Sequence, residues 1–488
     1  MQFGLVGSEM CIRDSIHTDI CVIGGGSGGL SVASGAAQMG AHVVLFEADQ
    51  MGGDCLNSGC VPSKALLAAA KAAHHTAGNP DMGIGGAAAN VDFAAVKAHV
   101  AAVIADIAPH DSVERFSGLG VRVIEEHARF AGPRVVRSTN YEVTAKFIVI
   151  ATGSKAAIPP IPGLDSVPFH TNETIFADTE KPSHLAIIGG GPIGIEMAQA
   201  HRRLGCAVTV IEAAHILGRD DPELAGLVTA RLAAEGIRLI EEIGVQEVAN
   251  NADSGNDDSI IITLADGTHV TASHLLVATG RAPSSGNLDL ETASIRTDRG
   301  AIVTDRRLRT SCKHVFAIGD VTGRAPFTHM AGYHAGIVIR NMLFRLPAKI
   351  DDRLTPWVTY TDPELAHVGM GEGTASAAYG AANIRVERAP LTGNDRARAE
   401  GRTEGMVKVI IHRDGHILGA GIVAPAAGEM IMAWSLAIAR KQKIAAMAST
   451  IAPYPTYGDA SKRAAGQFFT DRLFSRRTRS LVRFLLKL

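Results

Sequence analysis

A strand-turn-helix-strand signature that occurs twice constrains this chain more than any other feature. The apolar stretch Asp19 to Ile23 leads into Gly24, Gly26 and Gly29 in G-x-G-x-x-G spacing, then a helix-like SVASGAAQMG and the strand HVVLFE, which ends at Glu47. The order returns at His184 to Ile188, with Gly189, Gly191 and Gly194, a helix from about Ile193 to Leu204, and the strand AVTVIE ending at Glu212. Each landmark of the second unit lies 165 positions after its counterpart. In such a unit the first glycine permits a tight turn, the second lets a pyrophosphate approach the backbone, and the third lets the helix pack on the strand. The helix N-terminus supplies unpaired N–H groups and partial positive charge, and the acid after the second strand accepts hydrogen bonds from ribose hydroxyls. Two such units predict two bound dinucleotides and electron transfer between them. Ala213 and Ala214 follow Glu212, with no Arg or Lys until Arg219. A 2'-phosphate would meet a carboxylate without a cation there, which favours NADH over NADPH.

The length of 488 residues points to about three domains. Glycine supplies 52 of them, above the usual level of about 7%, and the repeated turns absorb part of that excess. Lys and Arg number 47 against 49 Asp and Glu, for a net charge of -2, so there is no electrostatic case for nucleic acid. No uninterrupted apolar run reaches the ~18 residues of a membrane span. Met1 to Ser15 (MQFGLVGSEMCIRDS) lacks a basic start followed by an apolar stretch, so it is not a secretory signal; it reads as translated adaptor or vector sequence, and a cytoplasmic location is expected.

Of six cysteines, only Cys55 and Cys60 are close together, in MGGDCLNSGCVPSK. Five residues of regular helix separate two positions by about 7.5 Å of rise on different faces, whereas a disulfide needs Cα atoms roughly 4.4 to 6.8 Å apart. The pair can bridge only where the chain is distorted, and Gly52, Gly53 and Gly59 allow that. Pro62 suits the first turn of a helix through KALLAAAKAAHH, placing Cys60 at its start, where the dipole and Lys64 would stabilise a thiolate. A reversible dithiol follows; two buried thiols or half of a zinc site are the other options, and no partner set with zinc spacing appears, so no metal site is expected.

The run G-G-D-C-L-N-S-G-C-V-P-S-K resembles the redox motif of class I pyridine nucleotide-disulfide oxidoreductases, the flavoproteins that include dihydrolipoamide dehydrogenase, glutathione reductase and mercuric reductase. The resemblance covers about residues 17 to 466. It implies an α/β fold with two Rossmann-like dinucleotide-binding domains, for FAD and NAD(P), plus an α+β C-terminal dimerisation domain. FAD-binding sequence would run over 16–155 and 282–345, NAD(P)-binding sequence over 156–281, and the dimerisation domain over 350–466. Ala151-Thr152-Gly153 and Ala278-Thr279-Gly280, the latter followed by Arg281, resemble the turns at the domain crossings. TSCKHVFAIGDVTG resembles the second FAD motif, with Gly319 at the turn and Asp320 on the flavin ribitol. Glu196 matches the glutamate that pairs with the lysine at Lys64 near the flavin. The resemblance makes Cys60 the flavin-facing thiolate, Cys55 the interchange thiol, and the protein a homodimer whose partner completes the site.

Three features depart from the family pattern. Dithiol-reactive relatives carry H-P-T-x-x-E near the C-terminus, where this chain has Tyr454-Pro455-Thr456-Tyr457-Gly458-Asp459. Tyr454 stands for the histidine base and Asp459 for its orienting glutamate, and a phenol of pKa ≈ 10 is a poor base at neutral pH. Mercuric reductases also place Tyr there but add a C-terminal cysteine pair, whereas the last cysteine here is Cys312. Finally, 467–488 interleaves Arg472, Arg476, Arg477, Arg479, Arg483 and Lys487 with Phe and Leu, a pattern for an anionic membrane surface or for packing on the dimer. The expectation is an FAD-dependent, NADH-linked oxidoreductase of a disulfide or dithiol, similar to dihydrolipoamide dehydrogenase. Mercuric-reductase-like Hg(II) reduction and a redox sensor without turnover are the alternatives.

Overall fold

The computed structural model describes residues 13–251 and 259–488. Residues 1–12, most of the stretch read as a non-native leader, and 252–258, most of the polar loop NNADSGNDDS, lie outside the described residues. The chain forms two compact units: Met1–Pro62, Ala98–Ala157 and Arg281–Asp351 in the first, Ser63–Lys97, Ile158–Gly280 and Asp352–Leu488 in the second.

The first unit is built on a seven-stranded sheet. Its parallel strands run in the order Val121–Ile124, Val43–Phe46, Asp14–Ile23 and Tyr141–Ile150, and Val315–Ala317 adds parallel to the last of these. Val135–Arg137 and Arg129–Gly132 extend the sheet antiparallel. Ile20, Cys21, Val22 and Val43 to Phe46 are buried without alternation, as strands covered on both faces must be. The helices Ser27–Gln38 and Thr328–Leu343 pack together over one face. The first strand begins at Asp14, five residues before the apolar stretch that signals it, because Asp14 to Thr18 pair in register with Tyr141 to Ala145. The partner strand draws the chain into the sheet where side-chain pattern does not, and two residues set aside with the leader, Asp14 and Ser15, belong to that strand.

In the second unit, His184–Ile188, Ala207–Ile211, Arg238–Ile240 and His274–Val277 make a four-stranded parallel sheet with Arg238–Ile240 at one edge and His274–Val277 at the other. Val245–Asn250 and Ile260–Leu264 pair antiparallel around the polar loop. A five-stranded antiparallel sheet follows, covered by the helix Ala427–Ala439. Trp434 of that helix is fully buried and its indole N–H donates to Ser461 at 3.1 Å. The strand MVKVIIH reads as alternating, yet Val407 to Ile411 are all buried. Lys408 explains the difference. Its ammonium lies 2.8 Å from Asp221, 2.9 Å from Glu223 and 2.8 Å from Glu372, so the polar face is closed by an ion cluster rather than by water.

Phe93–Gly118 is apolar and long enough by composition to cross a bilayer. Ala108–Asp111 breaks it at Pro109 into the helices Phe93–Ile107 and Val113–Gly118. The longer piece has 15 residues, a rise of about 22 Å against a hydrocarbon core of about 30 Å.

Candidate active site

Both glycine turns take the same geometry. A Cβ on Gly29 would collide with the Gly24 carbonyl oxygen, and a Cβ on Gly194 would collide with that of Gly189. At the middle glycine the picture reverses: Gly26 has nothing nearer than 3.8 Å, and Gly191 nothing within 4 Å. Gly26 and Gly191 are also the N-caps of the two helices, and neither start is capped by a side chain. Open space over helix amides, with the third glycine pressed against the turn, is the cradle that a pyrophosphate fits. Glu47 accepts from the Gly25 amide at 2.5 Å and from those of Ala48 and Asp49 at 2.8 Å. Glu212 likewise accepts from Gly190 at 2.7 Å and Ala214 at 2.9 Å. Each acid is thus locked to its own turn with lone pairs to spare for a ribose.

Within the first unit, Arg281, Ser154 and Asp320 form a relay that spacing does not reveal. The Arg281 guanidinium donates to Ser154 Oγ and to the Ser154 carbonyl, both at 2.7 Å, and lies 3.2 Å from Asp54. Ser154 Oγ donates to Asp320 Oδ2 at 2.6 Å. Burial raises the Asp320 carboxyl above its ordinary range, against the opposing pull of Ser154 and Arg281. Thr152 turns away to donate to the Ser284 carbonyl at 2.7 Å, and Gly153 and Gly319 adopt positive φ of 69° and 68°.

The cysteines sit on a distorted turn. Gly52, in the left-handed region at φ 89°, starts the short helix Gly53–Asn57, which holds Cys55, and a second helix begins at Cys60 itself. A Cβ on Gly53 would stand 2.8 Å from Gly26 Cα, so the cysteine turn lies against the first glycine turn. The Cys55 thiol is pushed up, first by its hydrogen bond to the Cys60 sulfur and then by burial. Cys60 Sγ is 3.5 Å from Thr328 Oγ1 at the start of the helix Thr328–Leu343, a partner 268 positions away that no local pattern indicates.

In the second unit Lys64, one turn on in the helix that Cys60 starts, donates to Glu196 Oε2 at 2.8 Å. Glu196 is buried and its other oxygen accepts from the Tyr360 amide at 2.9 Å, while the Lys64 ammonium stands 4.4 Å over the Tyr360 ring. Tyr454 and Asp459 belong to this unit as well. Tyr454 is 74% exposed and its phenol donates to Asp395 Oδ2 at 2.9 Å. The adjacent carboxylate raises the phenol above its ordinary range. Asp459 opens the helix Asp459–Gln467.

Residues 18–335 match the family described as pyridine nucleotide-disulphide oxidoreductase, and 355–465 match its dimerisation domain. The chain belongs to the pyridine nucleotide-disulphide oxidoreductases. As such it is an enzyme that works with FAD and a pyridine nucleotide, and it carries that family's dimerisation domain. Among relatives, it is 32% identical over 458 residues to a mercuric reductase of Staphylococcus aureus, covering 93% of this chain and 83% of the relative. It is 33% identical over 467 residues to a dihydrolipoyl dehydrogenase of Geobacillus stearothermophilus, covering 92% and 96%. Among solved structures, the Cu(II) complex of the HOCl-induced flavoprotein disulfide reductase RclA from Escherichia coli superposes with a TM-score of 0.82 at 27% identity, covering 91% of this chain and 99% of that one. A pyridine nucleotide-disulphide oxidoreductase reading accounts for the paired glycine turns, the acids locked to them, and the cysteine turn pressed against the first.

Proposed function

We propose that Cys55 and Cys60 are the redox pair and that the enzyme uses NADH to reduce an acceptor of two electrons, a disulfide or a metal ion. The observation that carries this reading is the placement of both cysteines on a glycine-distorted turn that lies against the first dinucleotide cradle. The assignment of ligands follows from the cradles. The turn at Gly24, Gly26 and Gly29 with Glu47, Gly53, Thr152, Gly153, Arg281, Gly319 and Asp320 would hold FAD. The turn at Gly189, Gly191 and Gly194 with Glu212 and Gly280 would hold NADH. Bound FAD supplies the two-electron relay between NADH and the cysteines. In each cycle NADH becomes NAD+, and the Cys55–Cys60 disulfide takes two electrons and one proton, the equivalent of the hydride NADH gives up, to become one thiol and one thiolate. The acceptor then takes the electrons and reforms the disulfide.

The chain's own groups divide the protons. The Cys60 sulfur beside it pushes the Cys55 thiol up; by the family's pattern Cys60 is the charged sulfur facing the flavin and Cys55 the thiol that meets the acceptor. Lys64 is fixed by Glu196 as a positioned positive charge rather than a mobile one. Glu212, already held by two backbone amides, leaves a 2'-phosphate facing a carboxylate and so supports NADH. With Asp395 holding its proton in place, Tyr454 is a weak base, which favours reduction of an acceptor over oxidation of dihydrolipoamide.

Steady-state NADH consumption with lipoamide, glutathione disulfide, Hg(II) and quinones tests the reading. Turnover with a disulfide or Hg(II), lost in Cys60→Ser, is expected; a Cys60→Ser protein that works at the parental rate overturns the assignment. Absence of turnover with every acceptor supports the sensor alternative. The domain ranges 16–155 with 282–345, 156–281 and 350–466 are proposed as the FAD, NAD(P) and dimerisation domains of a cytoplasmic homodimer, which light scattering checks. The exposed Leu481, Phe484 and Leu485 share one face of the helix Arg476–Leu485, with Arg476, Arg479 and Arg483 on another. That face is proposed to touch anionic membrane; equal sedimentation with anionic liposomes by the full chain and by a chain ending at Gly466 sinks the idea.

A further inference from the structure

Apart from the cofactor turns and the cysteine pair, the second unit gathers His170, Asp178 and His274, each half-buried, with donor atoms that all lie within 4.8 Å of one another. His170 Nε2 is 3.2 Å and His274 Nε2 is 3.5 Å from the same oxygen, Asp178 Oδ2. The two imidazoles stack at 6.0 Å between centroids and 8° between planes, so both present the same ring edge to the carboxylate.

The hydrogen bonds behind His274 determine what its front edge offers. The Ser273 hydroxyl donates to the His184 carbonyl at 3.0 Å and accepts from the His184 amide at 3.1 Å. Its proton is therefore spent, and at 3.0 Å from His274 Nδ1 it can only accept, which places a proton on Nδ1. Nε2 of a neutral His274 then points a lone pair at a carboxylate oxygen. Two acceptors face each other, an arrangement that a cation between them resolves. His170 is likewise backed by a hydroxyl, its Nδ1 lying 3.2 Å from Thr174 Oγ1, a group to which a ligating histidine can donate its second ring N–H.

We propose that His170, Asp178 and His274 bind a divalent first-row transition ion, Zn2+ foremost, through two Nε2 atoms and one carboxylate oxygen. Tetrahedral zinc with bonds of about 2.0 to 2.1 Å separates its ligands by about 3.3 Å, between the 3.2 and 3.5 Å observed. Two imidazoles and a carboxylate suit zinc and its neighbours better than Mg2+ or Ca2+, and the fourth position is left to water. Lys97 and His201 share the surroundings of Asp178. Burial lowers the His201 imidazole to about 4 and the Lys97 amine to about 8, so Lys97 is the cation that competes with the metal at neutral pH. The ion would fasten the segment that carries His170 and Asp178 to the edge strand His274–Val277, where His170 already bridges Leu276. Sequence spacing conceals the set, since His170 and His274 are more than 100 positions apart.

Equilibrium dialysis of Zn2+ against the oxidised holoenzyme, with the cysteine pair closed, tests the site. Stoichiometric binding is expected, with His274→Ala and Asp178→Asn each lowering affinity by at least tenfold and Ser273→Ala by about tenfold. X-ray absorption at the zinc edge of the unmodified protein is expected to show nitrogen and oxygen neighbours alone. No zinc bound by the parental protein, or a sulfur shell, overturns the proposal. The absorption measurement decides the matter even if a variant fails to retain its flavin.

Discussion

Substituting Gly194 by Ala tests the second cradle without touching the first. The new Cβ would meet the Gly189 carbonyl oxygen and would stand 3.3 Å from Ile187 Cγ2. The helix Pro192–Arg203 cannot yield, because Gly194 through His201 are buried against the sheet. The turn must therefore retreat, on the order of 1 Å, and it takes with it the Gly190 amide that holds Glu212. Overpacking of this kind costs roughly 1 to 3 kcal/mol, and at 1.4 kcal/mol per tenfold NADH affinity should fall roughly 5- to 150-fold. The KM for NADH and fluorescence titration measure the loss, while the flavin absorbance of the same sample reports FAD. The expected result is a raised KM with FAD retained, and the matched Gly29→Ala change should instead release FAD. A Gly194→Ala protein with intact flavin and a parental KM for NADH would refute the reasoning, as would loss of FAD from Gly194→Ala itself.

Other expectations follow from single side chains. Lys97 is buried with its ammonium donating to the Ile175 carbonyl at 2.6 Å, and its folded value of about 8 lies well below the unfolded one of about 10.4. Keeping that charge costs about 3 kcal/mol below pH 8, where both states hold the proton, and the cost fades as pH rises from 8 to 10 because the native state sheds it first. Lys97→Met, which also loses about 1 kcal/mol of hydrogen bond, should melt higher than the parent at pH 7, with an advantage that shrinks above pH 8; a constant gap in Tm contradicts this. Glu212→Gln removes the charge that a 2'-phosphate would face and should shift the NADH:NADPH ratio of kcat/KM toward NADPH by about tenfold, whereas an unchanged ratio means Glu212 does not select. Tyr454→Phe deletes a phenol already tied to Asp395, so NADH-driven acceptor reduction should stay within about twofold of the parent. A collapse of turnover in that variant would show Tyr454 to be chemically engaged.

Much of the fold was legible because its signals are local. The two glycine triplets with Glu47 and Glu212 specify turn, helix and acid within about 25 residues, and Pro62 places a helix start beside Cys60. The strand from Asp14 and the buried Lys408 were not legible. The first is drawn into the sheet by Tyr141 to Ala145, and the second is neutralised by Asp221 and Glu223, about 190 positions earlier, and Glu372. Side-chain pattern reports hydropathy along the chain and says nothing about which distant charges will close over it.

The sequence alone determined the pair of dinucleotide folds, the redox cysteines as a candidate, and the departure at Tyr454, since each is a matter of residue type at short spacing. Only the tertiary structure decided that Thr328 meets Cys60, that Ser154 links Arg281 to Asp320, that Asp395 holds Tyr454, and that His170, Asp178 and His274 converge. Those contacts depend on where parallel strands and their crossovers bring remote segments, a choice made by packing of the whole sheet rather than by any window of the chain.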